Sequence, residues 1–257
     1  MIRKPVCLVL LALFVGTGVA HAQKVKVQLA PNLAAYNVQE VAILGLANTS
    51  NESEAEQMSA HLIRALSATG KYHFVTTEQF ANDAKRTGVG TEFDRLRNTW
   101  LKKRVMEPEI VKKVLTATKC DAVVGMEVNR WEKRTLDPLE EGTSDTSVGL
   151  LVRLVAQDGT ILWSASETKT VQSPPYIPNV RATSEGGEAV ATGSPPPPPD
   201  IRKVAMDMAN EITATLPSIK KAAPTQTAPV TPKDTPPAAA PTDPPAPAPA
   251  DTSGAPK

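Results

Sequence analysis

Cysteine is almost missing from this sequence: there are two in 257 residues, Cys7 and Cys120. That excludes the disulfide framework of a small secreted scaffold and any zinc site built on cysteine pairs. Histidine is scarce too, with only His21, His61 and His73, and no two stand four residues apart as a helical metal motif requires. Aromatic residues make up 4%, so the 41% hydrophobic content leans on Ala, Val and Leu, and much of it is not core. Neither sign of charge dominates. The 28 Lys and Arg face 27 Asp and Glu with no block of like charge, which excludes a dedicated nucleic-acid surface. Gly88-Val89-Gly90 lacks the third glycine and the strand-to-helix setting of a phosphate cradle. No nucleophile, base and orienting group stand in a recognisable pattern, so the chain is read as non-enzymatic, with no cofactor and no metal.

The apolar run near the start, Val6 to Val15, is about half of the roughly 20 residues a membrane-spanning helix needs. Arg3 and Lys4 precede it and Ala20-His21-Ala22 follows it, the three parts of a secretory leader, so residues 1–22 read as a signal peptide cleaved between Ala22 and Gln23. The chain is expected to be exported and not membrane-spanning. Gln23 offers no acyl-accepting thiol, so no lipid anchor is expected, and loss of Arg3 and Lys4 leaves 26 cations against 27 acids. Cys120 alone survives processing. It stands just before the apolar run Ala122 to Val124 and reads as a buried thiol at a strand entrance.

Proline divides the remainder. Residues 222–257 hold 11 Pro and 10 Ala with a single Val and no aromatic, a composition that cannot bury enough apolar surface to offset chain entropy, so a disordered tail is expected. A Pro/Gly-rich insert at 173–200, ending in Pro195 to Pro199, reads as a structureless extension. Between a short N-terminal extension, 23–39, and the tail, residues 40–221 read as a single α/β domain.

Val41 to Leu46 is a short apolar run of the kind that makes a strand buried on both faces. Ser53 and Glu56 have capping-box spacing before a helix that turns Ala55, Met58, Leu62 and Leu66 to one side. Tyr72 to Val75 reads as a strand, Thr76 as the cap of a helix, Gly88 to Gly90 as a flexible loop, and Pro108 as the first turn of a later helix. Ala122 to Val128 predicts a strand running on to Trp131. Asp158-Gly159 between two β-rich runs predicts a hairpin, and Asp200 caps a last helix with Ile201, Val204, Met208 and Ile212 on one face. The sheet is therefore mixed, with helices on both sides in three layers.

The candidate partner-binding residues are Arg130, Trp131 and Tyr176. Trp131 is the tryptophan expected at the surface, while Trp100 and Trp163 read as core. The acidic residues Glu127, Glu132, Asp137, Glu140 and Glu141 suggest a second reading, a glycan hydrolase, although three of them sit in a polar loop.

The segments VAILGLANTS, YHFVTTEQF, KCDAVVGMEVNRW and DGTILWSASET, in this order, resemble the superfamily of bacterial envelope α/β domains that includes the curli secretion-channel lipoprotein, the TolB amino-terminal domain and the penicillin-binding-protein activator LpoB. The resemblance covers about residues 40 to 217. It implies a mixed sheet flanked by helices and a role in protein-protein interaction in the periplasm or cell envelope, as an assembly, secretion or peptidoglycan-synthesis accessory. A third reading is an oligomeric structural component, with rings formed by the α/β domain. Residues 173–200 lack the alternation of a barrel hairpin, so no pore is expected.

Overall fold

A computed structural model describes residues 24–50, 53–181 and 190–219. The expected leader and tail lie outside them. In chain order the elements are β1 (Lys26–Leu29), β2 (Glu40–Asn48), α1 (Ser53–Glu56), α2 (Met58–Ala68), β3 (His73–Val75), α3 (Thr77–Arg86), α4 (Gly90–Lys103), α5 (Pro108–Thr118), β4 (Ala122–Arg134), β5 (Asp145–Ala156), β6 (Ile161–Gln172), β7 (Asn179–Arg181), β8 (Val190–Thr192) and α6 (Ile201–Ala214).

Six strands form a mixed sheet in the order β1-β6-β5-β4-β2-β3. β2 lies parallel to β3 and β4, while β5, β6 and β1 add on antiparallel. The fold is thus the three-layer α/β arrangement read from the pattern. Val41, Ile43, Val124, Met126, Leu150, Val152 and Trp163 face α2 and α6 on one side of the sheet. Ala42, Leu44, Val123 and Val155 face Phe80, Phe93, Leu96, Trp100 and Val111 of the other helices. Strands covered on both faces are apolar throughout, which is why β2 reads as a continuous run.

Local chemistry sets several boundaries where expected. The Thr76 side chain accepts a hydrogen bond from the Gln79 amide at 3.3 Å and caps α3, and Asp200 accepts from Arg202 at 3.0 Å and caps α6. At the β5–β6 turn Gly159 adopts φ +83°, a conformation that favours glycine, and Asp158 Oδ1 accepts from the Thr160 amide. Cys120 is buried, and burial raises its thiol pKa.

Four expectations are corrected. The capping box is not made, because Ser53 is already the first helical residue of a one-turn α1 and Gln57 separates it from α2. Gly88 to Gly90 is a tight turn rather than a flexible loop: Gly88 takes φ +78°, the buried Val89 donates to Ala84 O at 2.9 Å, and Gly90 begins α4. The N-terminal extension contributes β1, which pairs with β6 from Lys26 opposite Ser166 to Leu29 opposite Trp163. Being four residues long with all of them exposed, β1 has no buried face to mark it.

The proline insert is also structured over much of its length. β7 and β8 pair antiparallel, and the proline run is tethered to the sheet by two buried hydroxyls. Ser144 Oγ donates to Pro196 O at 2.8 Å and Thr146 Oγ1 to Pro199 O at 2.6 Å. Proline lacks an N–H but keeps its carbonyl, so an extended proline segment can dock through acceptors alone.

Candidate functional site

β4 and β5 run well past the end of β2, and the loop 135–144 joins them at this far end. The loop is held firmly. Leu136 is buried and its amide donates to Ser144 Oγ at 3.1 Å, and Asp137 Oδ1 accepts from the Leu139 amide at 2.9 Å. The start of the proline insert lies beside it. Ser173 N donates to Ser144 O at 2.8 Å, and Gly142 and Tyr176 exchange backbone hydrogen bonds at 3.1 and 2.8 Å. The Tyr176 hydroxyl donates to Gly193 O at 3.2 Å and lies 3.4 Å from Pro138 O. One tyrosine thereby ties together the loop, the start of the insert and its end.

This clamp leaves two large apolar side chains outside. Leu139 is 57% exposed and Ile177 76% exposed. Their carrier segments are joined by the Gly142 and Tyr176 backbone pair and by the bond from Ser144 N to Ser173 Oγ, so both side chains stand on one crest of ordered backbone. Neither residue was singled out in the sequence, and the signal available was a bulky aliphatic residue within each proline-bearing loop.

Of the three candidate residues, Tyr176 and Arg130 lie toward solvent, and Arg130 donates to Glu132 at 2.8 and 3.0 Å. Trp131 does not. It is 6% exposed and belongs to the core beside α6. The cause is a β-bulge. The β4–β5 register shifts between Val128 and Arg130, so Asn129 is an extra residue on β4, and Trp131 returns to the side that Val128 occupies. Gly149 lies opposite the bulge, and a side-chain carbon there would meet Asn129 Oδ1 at 2.1 Å.

The other carboxylates are dispersed. Glu127 is buried and pairs with Arg104 at 3.1 Å, and Asp137 is spent on the loop turn. A separate acidic group lies between β6 and α6. Glu167 is 5% exposed, and its Oε2 has no hydrogen-bond partner among the described residues. Burial first, then the charge of Glu211, pushes its pKa from 4.5 up to about 7. Lys169 reaches Glu211 at 2.9 Å, which raises the lysine pKa. Among the described residues no group of three metal-ligating side chains is assembled, and no helix is long and apolar enough to cross a membrane.

No protein-family model matches the chain, and no curated protein matches it. Solved structures do. The chain is similar to the PelC dodecamer from Paraburkholderia phytofirmans, with 15% identity over 74% of this chain and 93% of that one and a TM-score of 0.41. It is similar to lipoprotein GNA1162 from Neisseria meningitidis, with 18% identity over 57% and 88% of the two chains and a TM-score of 0.38. It is also similar to the LpoB C-terminal domain from Escherichia coli, with 15% identity over 52% and 83% and a TM-score of 0.33.

Proposed function

We propose that this chain is an exported, non-enzymatic adaptor of the bacterial envelope that holds another envelope protein on the crest of loop 135–144 and the Tyr176 segment. The crest carries the proposal: Leu139 and Ile177 stay exposed on backbone that Ser144, Ser173 and Tyr176 fix in place. Large apolar groups held rigidly in solvent are interaction anchors, because a partner buries them without the cost of ordering a loop. The secretory leader pattern supports the compartment. The hydrolase reading has less behind it, since Glu132 is engaged by Arg130, Asp137 by the backbone, and Glu140 and Glu141 stand exposed in solvent.

The test is capture from an envelope extract by the full chain, with the retained proteins identified by mass spectrometry. The double substitution Leu139→Asp with Ile177→Asp is expected to weaken retention of the partner at least tenfold, while unfolding stability changes by less than about 0.5 kcal/mol, as for exposed residues generally. Arg130→Ala is expected to alter the salt dependence of capture rather than retention at low salt. Undiminished retention by the double variant sinks the placement.

A further inference from the structure

Between the connection from α4 to α5 and the strands β5 and β6 lies a cavity of about 230 Å³. Trp100, Met106, Val155 and Ile161 line it with apolar surface, Arg104 and Arg153 bring two guanidinium groups, and among the described residues no carboxylate lines it. Its inner walls are fixed. Trp100 is fully buried, and its Nε1 donates to Gly45 O at 3.3 Å. A side-chain carbon at Gly125 would meet Met106 Cε at 2.4 Å and Trp100 Cε2 at 2.6 Å, so both side chains lie directly on the β4 backbone. The outer wall is open to solvent: Val105 is 50% exposed and Ile161 47% exposed.

The two arginines are not equivalent. Arg104 is paired with Glu127 at 3.1 Å, and its Nη1 donates to the backbone oxygens of Trp100 and Leu101. Arg153 is half-buried and makes one hydrogen bond, from Nη1 to Arg104 O at 3.3 Å, with no carboxylate paired to it among the described residues. A guanidinium offers more donors than that one bond uses, in a planar fork that fits a carboxylate. The cavity therefore sets one uncompensated positive charge against apolar walls.

The complementary ligand is an anion with an apolar body, whose chain also covers the exposed rim and gains from that burial. The cavity is smaller than the about 300–1,000 Å³ of sites for drug-sized molecules, so the body is short. We infer that this cavity binds a medium-chain aliphatic monocarboxylate, its carboxylate accepting from Arg153 and its hydrocarbon chain lying against Trp100, Met106 and Ile161. Walls that are already in place keep the ordering cost of binding low. The site shares no residue with the crest, so it stands or falls separately from the adaptor reading.

Equilibrium dialysis of the full chain against radiolabelled octanoate is the experiment. Saturable binding of one octanoate per chain is expected, with octanol, which lacks the charge, and acetate, which lacks the chain, at least tenfold weaker as competitors. Arg153→Gln is expected to weaken octanoate at least tenfold, the scale of one lost charge-assisted hydrogen bond. Val105→Glu, at an exposed position where substitution leaves stability nearly unchanged, acts in the same direction by placing a like charge on the rim. Leu139→Asp with Ile177→Asp has no effect. The inference is overturned by an absence of saturable binding, by equal competition from octanol, or by octanoate binding that survives both cavity substitutions. A peptide ending in a free leucine carboxylate that binds at least tenfold tighter than octanoate also overturns it, because the cavity then reads a protein terminus.

Discussion

Trp131→Ala is expected to lower unfolding stability by about 3–5 kcal/mol, the usual cost of emptying a buried tryptophan site. An exposed tryptophan would cost less than about 0.5 kcal/mol, so the measurement separates the two placements cleanly. Urea unfolding followed by far-ultraviolet circular dichroism is the suitable readout, because the substitution removes one of only three tryptophans. The destabilisation follows from the bulge at Asn129, which turns Trp131 into the cluster containing Val128 and Val148 and leaves Arg130 outside. Gly149→Ala tests the same device from the other strand. Its added carbon meets Asn129 Oδ1 and comes within 3.0 Å of Arg130 Cβ; the exposed Asn129 side chain can turn aside, so a smaller loss than that of Trp131→Ala is expected. A Trp131→Ala protein as stable as its parent would remove the bulge from the account.

Glu167→Gln is expected to stabilise the protein at alkaline pH and to leave it nearly unchanged in acid. The folded chain holds the Glu167 proton up to about pH 7, whereas the unfolded chain releases it near 4.5. Between those values the folded state binds more protons, so stability falls as pH rises, and the full penalty is present above pH 7. Glutamine carries no charge to bury, so the variant is expected to gain on the order of 2 kcal/mol at pH 8. The groups acting on Glu167 are Glu211 and Lys169, with Asp207 acting on the lysine, and Lys24 and Lys26 line the same cleft. Lys169 stays paired with Glu211 when Glu167 is replaced, so the gain comes from removing one buried carboxylate. Equal pH dependence in parent and variant between pH 4.5 and 8 would show that Glu167 is not the group being titrated.

Much of the fold was legible because its signals are local. Buried strands such as Val41 to Leu46 are apolar without interruption, Thr76 and Asp200 cap helices through their own side chains, and Asp158-Gly159 closes a hairpin by its own conformational preference. Each of these depends on residues within a few positions of one another. The candidate site was legible only in part. Sequence reasoning pointed to the loop after β4 and to Tyr176, and the structure joins those two segments through the Gly142 and Tyr176 backbone pair. It overlooked Leu139 and Ile177, since an aliphatic residue in a proline-rich stretch has no periodic neighbours to give it a face.

The sequence by itself determined the class of the fold and the order of its main elements from β2 to α5, because propensity, capping and hydrophobic period act over short stretches of chain. The tertiary structure alone decided which side of the sheet Trp131 occupies, since one extra residue at Asn129 reverses the alternation of everything after it. It alone docked the proline run, whose carbonyls meet the Ser144 and Thr146 hydroxyls more than fifty residues away in the chain. Parity and docking are properties of pairs of segments, and a pair exists only in the folded chain.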